Sequence, residues 1–302
     1  MERSGQISHG EANLPRHVQG RARQAGSLPH TLLEVLGFSG YGIWLLLGLA
    51  LALGVYSNGR GEALVPLGLG AAFIAAGPLM ACLRLSSVPD WHGWRPGHGS
   101  RPTQEAMIAL LAFLPMLAVA GLARGENDFW ATRLAGAALS LASLAALIQT
   151  ANGFVGRDRA GLPSPIAQFP LSRVVSAGYA GGLWMWTCLD AQDDQVTMGS
   201  TLYWVLGLLA LALLMGSLEN LRWRALQSSD AATTGPSIPA MSLSPMRFLA
   251  AVLIYALPCI GLIVAALADA PSWLPLVAAA SCGLGKTLEL RQYELALALS
   301  DT

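Results

Sequence analysis

The chain has 302 residues, of which 54% are hydrophobic and only 12% are charged, and its mean hydropathy is +0.50. Soluble domains carry about 25% charged residues, so this composition excludes an ordinary soluble globular protein and a disordered one. Lysine and arginine together number 18, as do aspartate and glutamate, so the net charge favours neither nucleic acid nor an acidic partner. Four cysteines are too few for a disulfide scaffold. The composition therefore indicates a polytopic membrane protein.

Long apolar runs recur along the chain. A helix needs about 20 mostly apolar residues to cross the hydrocarbon core, and it satisfies its backbone hydrogen bonds internally. The runs are rich in leucine, alanine and glycine and lack the two-residue alternation of an outer-membrane barrel. We therefore predict an all-α fold, a polytopic bundle of eight transmembrane helices. The predicted spans are 35–56, 63–83, 106–123, 134–150, 174–189, 201–218, 248–268 and 272–288.

Polar segments flank this membrane domain, which we place at residues 31–291. Residues 1–30 are polar with scattered arginines and are predicted to be a disordered tail, and residues 292–302 form a short C-terminal tail. The first 30 residues hold no apolar stretch of the kind a cleaved signal contains, so we expect the first span to act as an uncleaved insertion signal.

Basic residues alternate between the two ends of the predicted spans. Fifteen of the 18 lysines and arginines fall on the side that carries both termini, which we call the basic side, and three fall on the other. Because basic residues stay in the cytoplasm, this split predicts that both termini are cytoplasmic. The longer connections, residues 84–105, 151–173 and 219–247, also lie on the basic side, where a soluble partner would find the most surface.

The sequence gives no sign of a metal or haem centre. No histidine falls within a predicted span, which argues against a membrane haem. Each of the four cysteines lies in a different span, without C-x-x-C spacing, and we interpret them as small buried apolar residues. Small residues at helical spacing, such as Gly178 and Gly182 or Gly136 and Ser140, are interpreted as close helix contacts.

The segment between the second and third spans carries the residues with most chemical interest. Arg84 ends the second span, Glu105 opens the third, and the connection between them is rich in Trp, His, Arg, Pro and Gly. A structural reading is that Ser100 or Thr103 caps the third helix while Arg84 reaches lipid phosphate. The alternative is a quinol site, since quinol oxidation needs a carboxylate or histidine to accept a proton.

The pattern of this segment resembles a known family. The run Leu-Arg-Leu-Ser-Ser at 83–87, then Pro89, Trp91 and Trp94, then Ser100-x-x-Thr103-x-Glu105, is similar to the membrane anchor subunit of dimethyl sulfoxide reductase-type complexes. The eight predicted spans and a proline-rich fourth connection also fit that family. Glu105 matches the family's glutamate, whereas Arg84 stands where the family has histidine, and arginine cannot take up a proton at working pH.

The resemblance implies a function in anaerobic electron transport. It implies a subunit of the bacterial inner membrane that holds no haem or metal, binds quinol or menaquinol, and passes its electrons to a docked iron–sulfur subunit. A molybdopterin catalytic subunit would join through that partner. The implied quinol-binding residues are Glu105, Arg84, Ser100 and Trp91, and the expected docking residues are Arg95, Arg101, Arg157 and Arg159.

Two other functions stay open at this point. A small-molecule permease or exporter would also be a bundle of apolar helices, although the predicted spans are almost free of ionisable residues, which weakens an ion-coupled transporter or proton pump. A cofactor-free membrane scaffold or assembly protein is the third reading. Flux through the isolated chain would favour the permease, and copurification with a metal-free partner would favour the scaffold.

Overall fold

The computed structural model describes residues 28–56, 61–83, 91–94, 101–123, 129–158, 169–192, 198–232, 245–267 and 271–300, and these segments are helical apart from short turns. A π-helical turn, Val252–Ala256, joins the helix that ends at Ala251 to the helix that begins at Leu257. The helices are α1 Leu28–Leu53, α2 Leu64–Cys82, α3 Gln104–Leu111, α4 Phe113–Leu122, α5 Trp130–Asp158, α6 Phe169–Gln192, α7 Met198–Ala232, α8 Pro245–Ala251, α9 Leu257–Leu267 and α10 Leu274–Ser300.

Six helical segments are long and apolar enough to cross a membrane, which agrees with the predicted class of helical membrane protein. Among the described residues, α6 and α10 correspond to the two remaining predicted spans, and both are less apolar than the six. The six candidate spans are Leu28–Leu53, Leu64–Cys82, Gln104–Leu122, Trp130–Ala151, Leu202–Arg222 and Pro245–Leu267.

The position of α6 explains its lower apolarity. It packs against α1, α5, α7 and α10, and every residue from Val175 to Leu183 is buried. A helix enclosed by other helices meets protein rather than lipid, so glycine, serine and tyrosine are tolerated on its surface. Length and composition alone therefore underestimate how deeply α6 lies in the bundle.

Helix α1 is the centre of the bundle, and glycines bring three neighbours against its backbone. A Cβ atom at Gly42 would lie 1.8 Å from the carbonyl oxygen of Ala177 in α6, and one at Gly48 would lie 2.5 Å from that of Gly136 in α5. The hydroxyl of Ser140 also donates to the carbonyl of Leu45, at 2.6 Å. The predicted close contact through Gly136 and Ser140 is thus confirmed.

Gly178 and Gly182, the glycines of α6 that were predicted to form a packing pair, face α7. A Cβ at Gly182 would lie 2.5 Å from a methyl group of Leu208 in α7, whereas Gly181 is the residue whose Cβ would meet the α1 backbone, at 2.4 Å. Gly178 has more room, with Leu211 of α7 3.8 Å away. Consecutive small residues therefore serve two separate interfaces of the same helix.

Prolines interrupt two of the predicted spans. The third span breaks into α3 and α4 at Ala112; Pro115 has no N–H to donate to the carbonyl of Leu111, four residues earlier. The seventh span contains the π-helical turn just before Pro258, which likewise cannot donate to the carbonyl of Ile254. The hydroxyl of Tyr179 donates to that carbonyl instead, at 3.2 Å.

Helix ends follow from local sequence. Gly54 has φ +69° and terminates α1 in a Schellman motif, in which the N–H of Gly54 bonds the carbonyl of Leu51 and the N–H of Val55 bonds that of Ala50. Helices α5 and α7 continue into residues 151–158 and 219–232, where the sequence predicts connections. The 35 residues of α7 span about 52 Å, well beyond the hydrocarbon core.

Candidate functional site

The structure describes only part of the predicted quinol and docking sites. Trp91, Arg101 and Glu105 are described; Arg101 is exposed, and the other two side chains are partly buried. Arg157 lies in the last turn of α5, and its side chain is not described. The remaining predicted residues, Arg84, Arg95, Ser100 and Arg159, lie outside the described ranges.

Residues Trp91–Trp94 form a tight turn. The N–H of each tryptophan donates to the carbonyl of the other, at 2.9 Å in both directions. His92 and Gly93 both have positive φ, at 48° and 72°, which is the conformation of a type I′ turn. Glycine adopts it freely and histidine is among the residues that tolerate it, so the dipeptide between the tryptophans suits the turn.

The tryptophan turn is tied to the start of α3. The hydroxyl of Thr103 donates to the carbonyl of His92, at 2.7 Å, and its oxygen accepts from the N–H of Ala106, at 3.2 Å. Thr103, one of the two predicted capping residues, is therefore the N-cap of α3, and Glu105 lies in the first turn of that helix. The structure thus ties the turn that begins at Trp91 to the start of the helix that contains Glu105.

Trp91 also packs closely on α2. A Cβ atom at Gly77 would lie only 2.6 Å from the indole nitrogen of Trp91. The turn is consequently held from two directions, by a hydrogen bond from α3 and by a glycine surface on α2.

A second polar arrangement, which the sequence did not predict as a site, lies where α1, α6, α7 and α10 meet. It is a pocket of about 480 Å³, counting the space at its open mouth. We call it the charged pocket. Its lining residues are Phe38, Ser172, Arg173, Ser176, Glu219, Arg222, Lys286, Glu289, Leu290 and Tyr293.

Glu219 and Lys286 form an ion pair within the charged pocket. It accepts hydrogen bonds from the ammonium of Lys286 and from the hydroxyl of Tyr255. Lys286 also donates to Glu289, one turn along α10, at 2.9 Å. The side chains of Lys286 and Glu219 are only 5% and 8% exposed, so this ion pair is removed from water.

A second ion pair forms the wall of the pocket toward α1. Arg173 donates to Glu34 at 2.6 Å, and its guanidinium lies 4.8 Å from the centre of the Phe38 ring. His30 and His92 interact electrostatically with Glu34. The Arg173–Glu34 pair therefore lies between the charged pocket and the tryptophan turn that contains His92.

The sequence interpretation missed this cluster for an identifiable reason. Glu219 lies one residue beyond the predicted end of the sixth span, and Lys286 and Glu289 lie within two residues of the predicted end of the eighth. Helical spacing could have found it, since Lys286, Glu289 and Tyr293 recur at intervals of three and four residues and so share one face of α10.

The four cysteines are free thiols. Cys188 and Cys282 are buried and Cys259 is partly buried, as expected, whereas Cys82 at the end of α2 is exposed. The described residues contain no group of three or more side chains suited to a metal ion. No protein family model, curated protein or solved structure matches the chain.

Proposed function

We propose that this chain is the membrane anchor subunit of a molybdopterin and iron–sulfur oxidoreductase complex, and that it oxidises quinol on the basic side of the membrane. Its electrons pass to a docked iron–sulfur subunit, and Glu105 accepts a proton from the quinol. The anchor itself provides the quinol site and holds no metal.

The arrangement around Glu105 carries this proposal. Thr103 ties the tryptophan turn to the first turn of α3, which contains Glu105, at a helix N-terminus. The helix dipole favours a negative charge there by roughly 0.3–1 kcal/mol. A quinol ring requires this combination of an aromatic contact and a proton acceptor.

The proposed topology has eight spans in the bacterial inner membrane, with both ends in the cytoplasm. Its support is that the starts of α1 and α6 and the C-terminal parts of α7 and α10 meet around the charged pocket. Helices that alternate in direction, beginning and ending on the basic side, bring those regions to one end. Helices α6 and α10 would supply the spans beyond the six apolar ones.

The proposed docking face for the iron–sulfur subunit lies on the same side. Arg101 is exposed just before α3, and Arg157 lies on the helical extension of α5 beyond the apolar span. Arg95 and Arg159 complete the proposed basic surface. Charges of one sign on a surface steer a partner of the opposite sign, so an acidic face is expected on the iron–sulfur subunit.

The test is quinol-driven electron transfer in the purified complex. Glu105→Gln should abolish quinol-driven reduction while the complex still contains its iron and molybdenum. Glu62→Gln, which changes a carboxylate on the opposite side, is the matched control and should leave turnover intact. Unchanged turnover in Glu105→Gln would refute the quinol assignment, and a preparation of the intact complex without molybdenum and iron would refute the anchor function.

A small-molecule permease is the second candidate, and the charged pocket favours it. Five charged side chains in one pocket within a helical bundle are costly in a membrane protein and are functional candidates for that reason. Substrate-dependent flux in liposomes that contain this chain alone would support the permease over the anchor subunit.

A further inference from the structure

Lys286 lies between two carboxylates that belong to different helices. It donates to Glu219 of α7 and to Glu289 of α10. With both acids ionised, this group of three side chains carries one excess negative charge. Addition of one proton to a carboxylate makes the group neutral, and a neutral group is favoured where water is scarce.

The second carboxylate removes the main obstacle to protonation of a buried ion pair. Neutralising one partner of such a pair ordinarily leaves the other charge buried and uncompensated, which is strongly destabilising. Here Glu289 lies 2.9 Å from the Lys286 nitrogen, so Lys286 keeps a counter-ion when Glu219 is neutral. No helix has to move for this exchange of partners.

Several other charged side chains lie around Glu219 and Glu289. Arg222 lies one turn along α7, and Arg173 faces the same pocket from α6, where Glu34 pairs with it. Arg247 of α8 interacts electrostatically with Glu289. These cations offset part of the excess negative charge of the group formed by Glu219, Lys286 and Glu289. Tyr293 of α10, the remaining titratable lining residue, contacts the Arg222 guanidinium, 4.3 Å from its ring centre.

Glu219 lies between the charged pocket and the π-helical turn that carries Tyr255. The pocket brings solvent or a weak acid to Glu219, and the Tyr255 hydroxyl contacts it from the π-helical turn. The next carbonyl along that turn, Ile254, accepts from Tyr179 in the centre of the bundle. π-helical turns often occur at functional sites, and this one aims Tyr255 at the carboxylate.

We propose that Glu219 is a proton-accepting site, loaded from the charged pocket, and that Lys286 is retained by Glu289 when Glu219 is protonated. In this step a proton from a hydroxyl-type weak acid or from hydronium bonds to a Glu219 carboxylate oxygen. The donor keeps the electron pair of its broken O–H bond, and nothing is oxidised or reduced. The site stands on its own geometry and does not depend on the electron-transfer function proposed above.

Infrared spectroscopy of the full-length protein in lipid nanodiscs tests the proposal directly. As the pH is lowered, the wild type should develop the carbonyl band of a protonated carboxylic acid, and Glu219→Gln should lack one component of that band. Glu62→Gln, which removes a carboxylate outside the pocket, is the matched control and should retain the component.

Two further variants distinguish proton acceptance from a fixed ion pair. Glu289→Gln should weaken the component at a given pH, because protonation of Glu219 would then leave Lys286 without a carboxylate. Lys286→Gln should strengthen it, because the carboxylate loses its cation. If the wild-type component is absent while the protein is still folded, or persists in Glu219→Gln, the proposal is wrong. If Lys286→Gln does not fold, the Glu289→Gln variant and the titration of the wild type still decide whether Glu219 accepts a proton.

Discussion

Lys286 of α10 donates to Glu219 of α7, 67 positions earlier in the chain, and to Glu289 one turn along its own helix. This arrangement links two helices through charges that are almost completely buried. Buried ion pairs rarely stabilise a fold more than apolar side chains of the same size would, so retention of three such charges points to a functional role. The three charges lie at one end of the bundle, beside the Arg173–Glu34 pair.

Removal of the Thr103 cap should loosen the tryptophan turn. Thr103→Ala loses the hydrogen bond to the His92 carbonyl and the N-cap of α3, and such caps contribute about 1 kcal/mol. We expect a lower Tm and a shift in tryptophan fluorescence, because Trp91 is no longer held against α2. Thr103→Ser keeps the hydroxyl and should behave as the wild type. Equal spectra for the alanine and serine variants would contradict this account.

A methyl group at Gly42 should disrupt the contact between α1 and α6. Its Cβ would lie 1.8 Å from a backbone oxygen, so the helices must separate, at a cost of about 3 kcal/mol. Gly42→Ala should therefore lower the unfolding temperature in detergent. Gly37→Ala is the control on the same helix, because a Cβ there meets no atom within 4 Å. Alanine has the higher helix propensity and should not destabilise α1 by itself, so a comparable loss in both variants would contradict the assignment to this contact.

The effects of removing Arg173 and of removing Glu34 on the free energy of unfolding should be strongly non-additive. The two side chains are 11% and 17% exposed, so removal of either charge leaves the other largely buried. Glu34→Gln and Arg173→Gln should each destabilise the protein by roughly 3 kcal/mol, and the double variant should recover part of the loss. Chemical denaturation in mixed micelles measures the coupling. Additive effects in the double variant would mean that the two charges act independently.

The proposed topology predicts opposite accessibility for two exposed positions. Arg101→Cys lies just before α3 on the basic side, and Val55→Cys lies just after the end of α1 on the other side. A membrane-impermeant thiol reagent added to intact cells should label Val55→Cys only, and inverted vesicles should give the reverse. Cys82 remains in both proteins, so the parent chain provides the background. Labelling of both positions from one side would exclude the alternating arrangement.

Much of the helical organisation could be predicted from the sequence because lipid imposes it. Apolar runs of spanning length must be helical, and six of the eight predicted runs correspond to segments apolar enough to cross a membrane. The N-cap at Thr103 and the close packing at Gly136 were predictable too, since capping and small-residue contacts depend on local sequence. The quinol and docking assignments remain predictions that rest on motif resemblance.

The sequence by itself thus determined the class of fold and the approximate helix positions, because solvent and local backbone chemistry fix these properties. Only the tertiary structure decided that Glu219, Tyr255 and Lys286 meet, that α6 is enclosed on all sides, and that Tyr179 donates to a carbonyl four residues before Pro258. These relationships join residues far apart in the chain, and each depends on which helix faces lie together. That choice is made by packing between glycine surfaces and by the pairing of buried charges, which no single segment encodes.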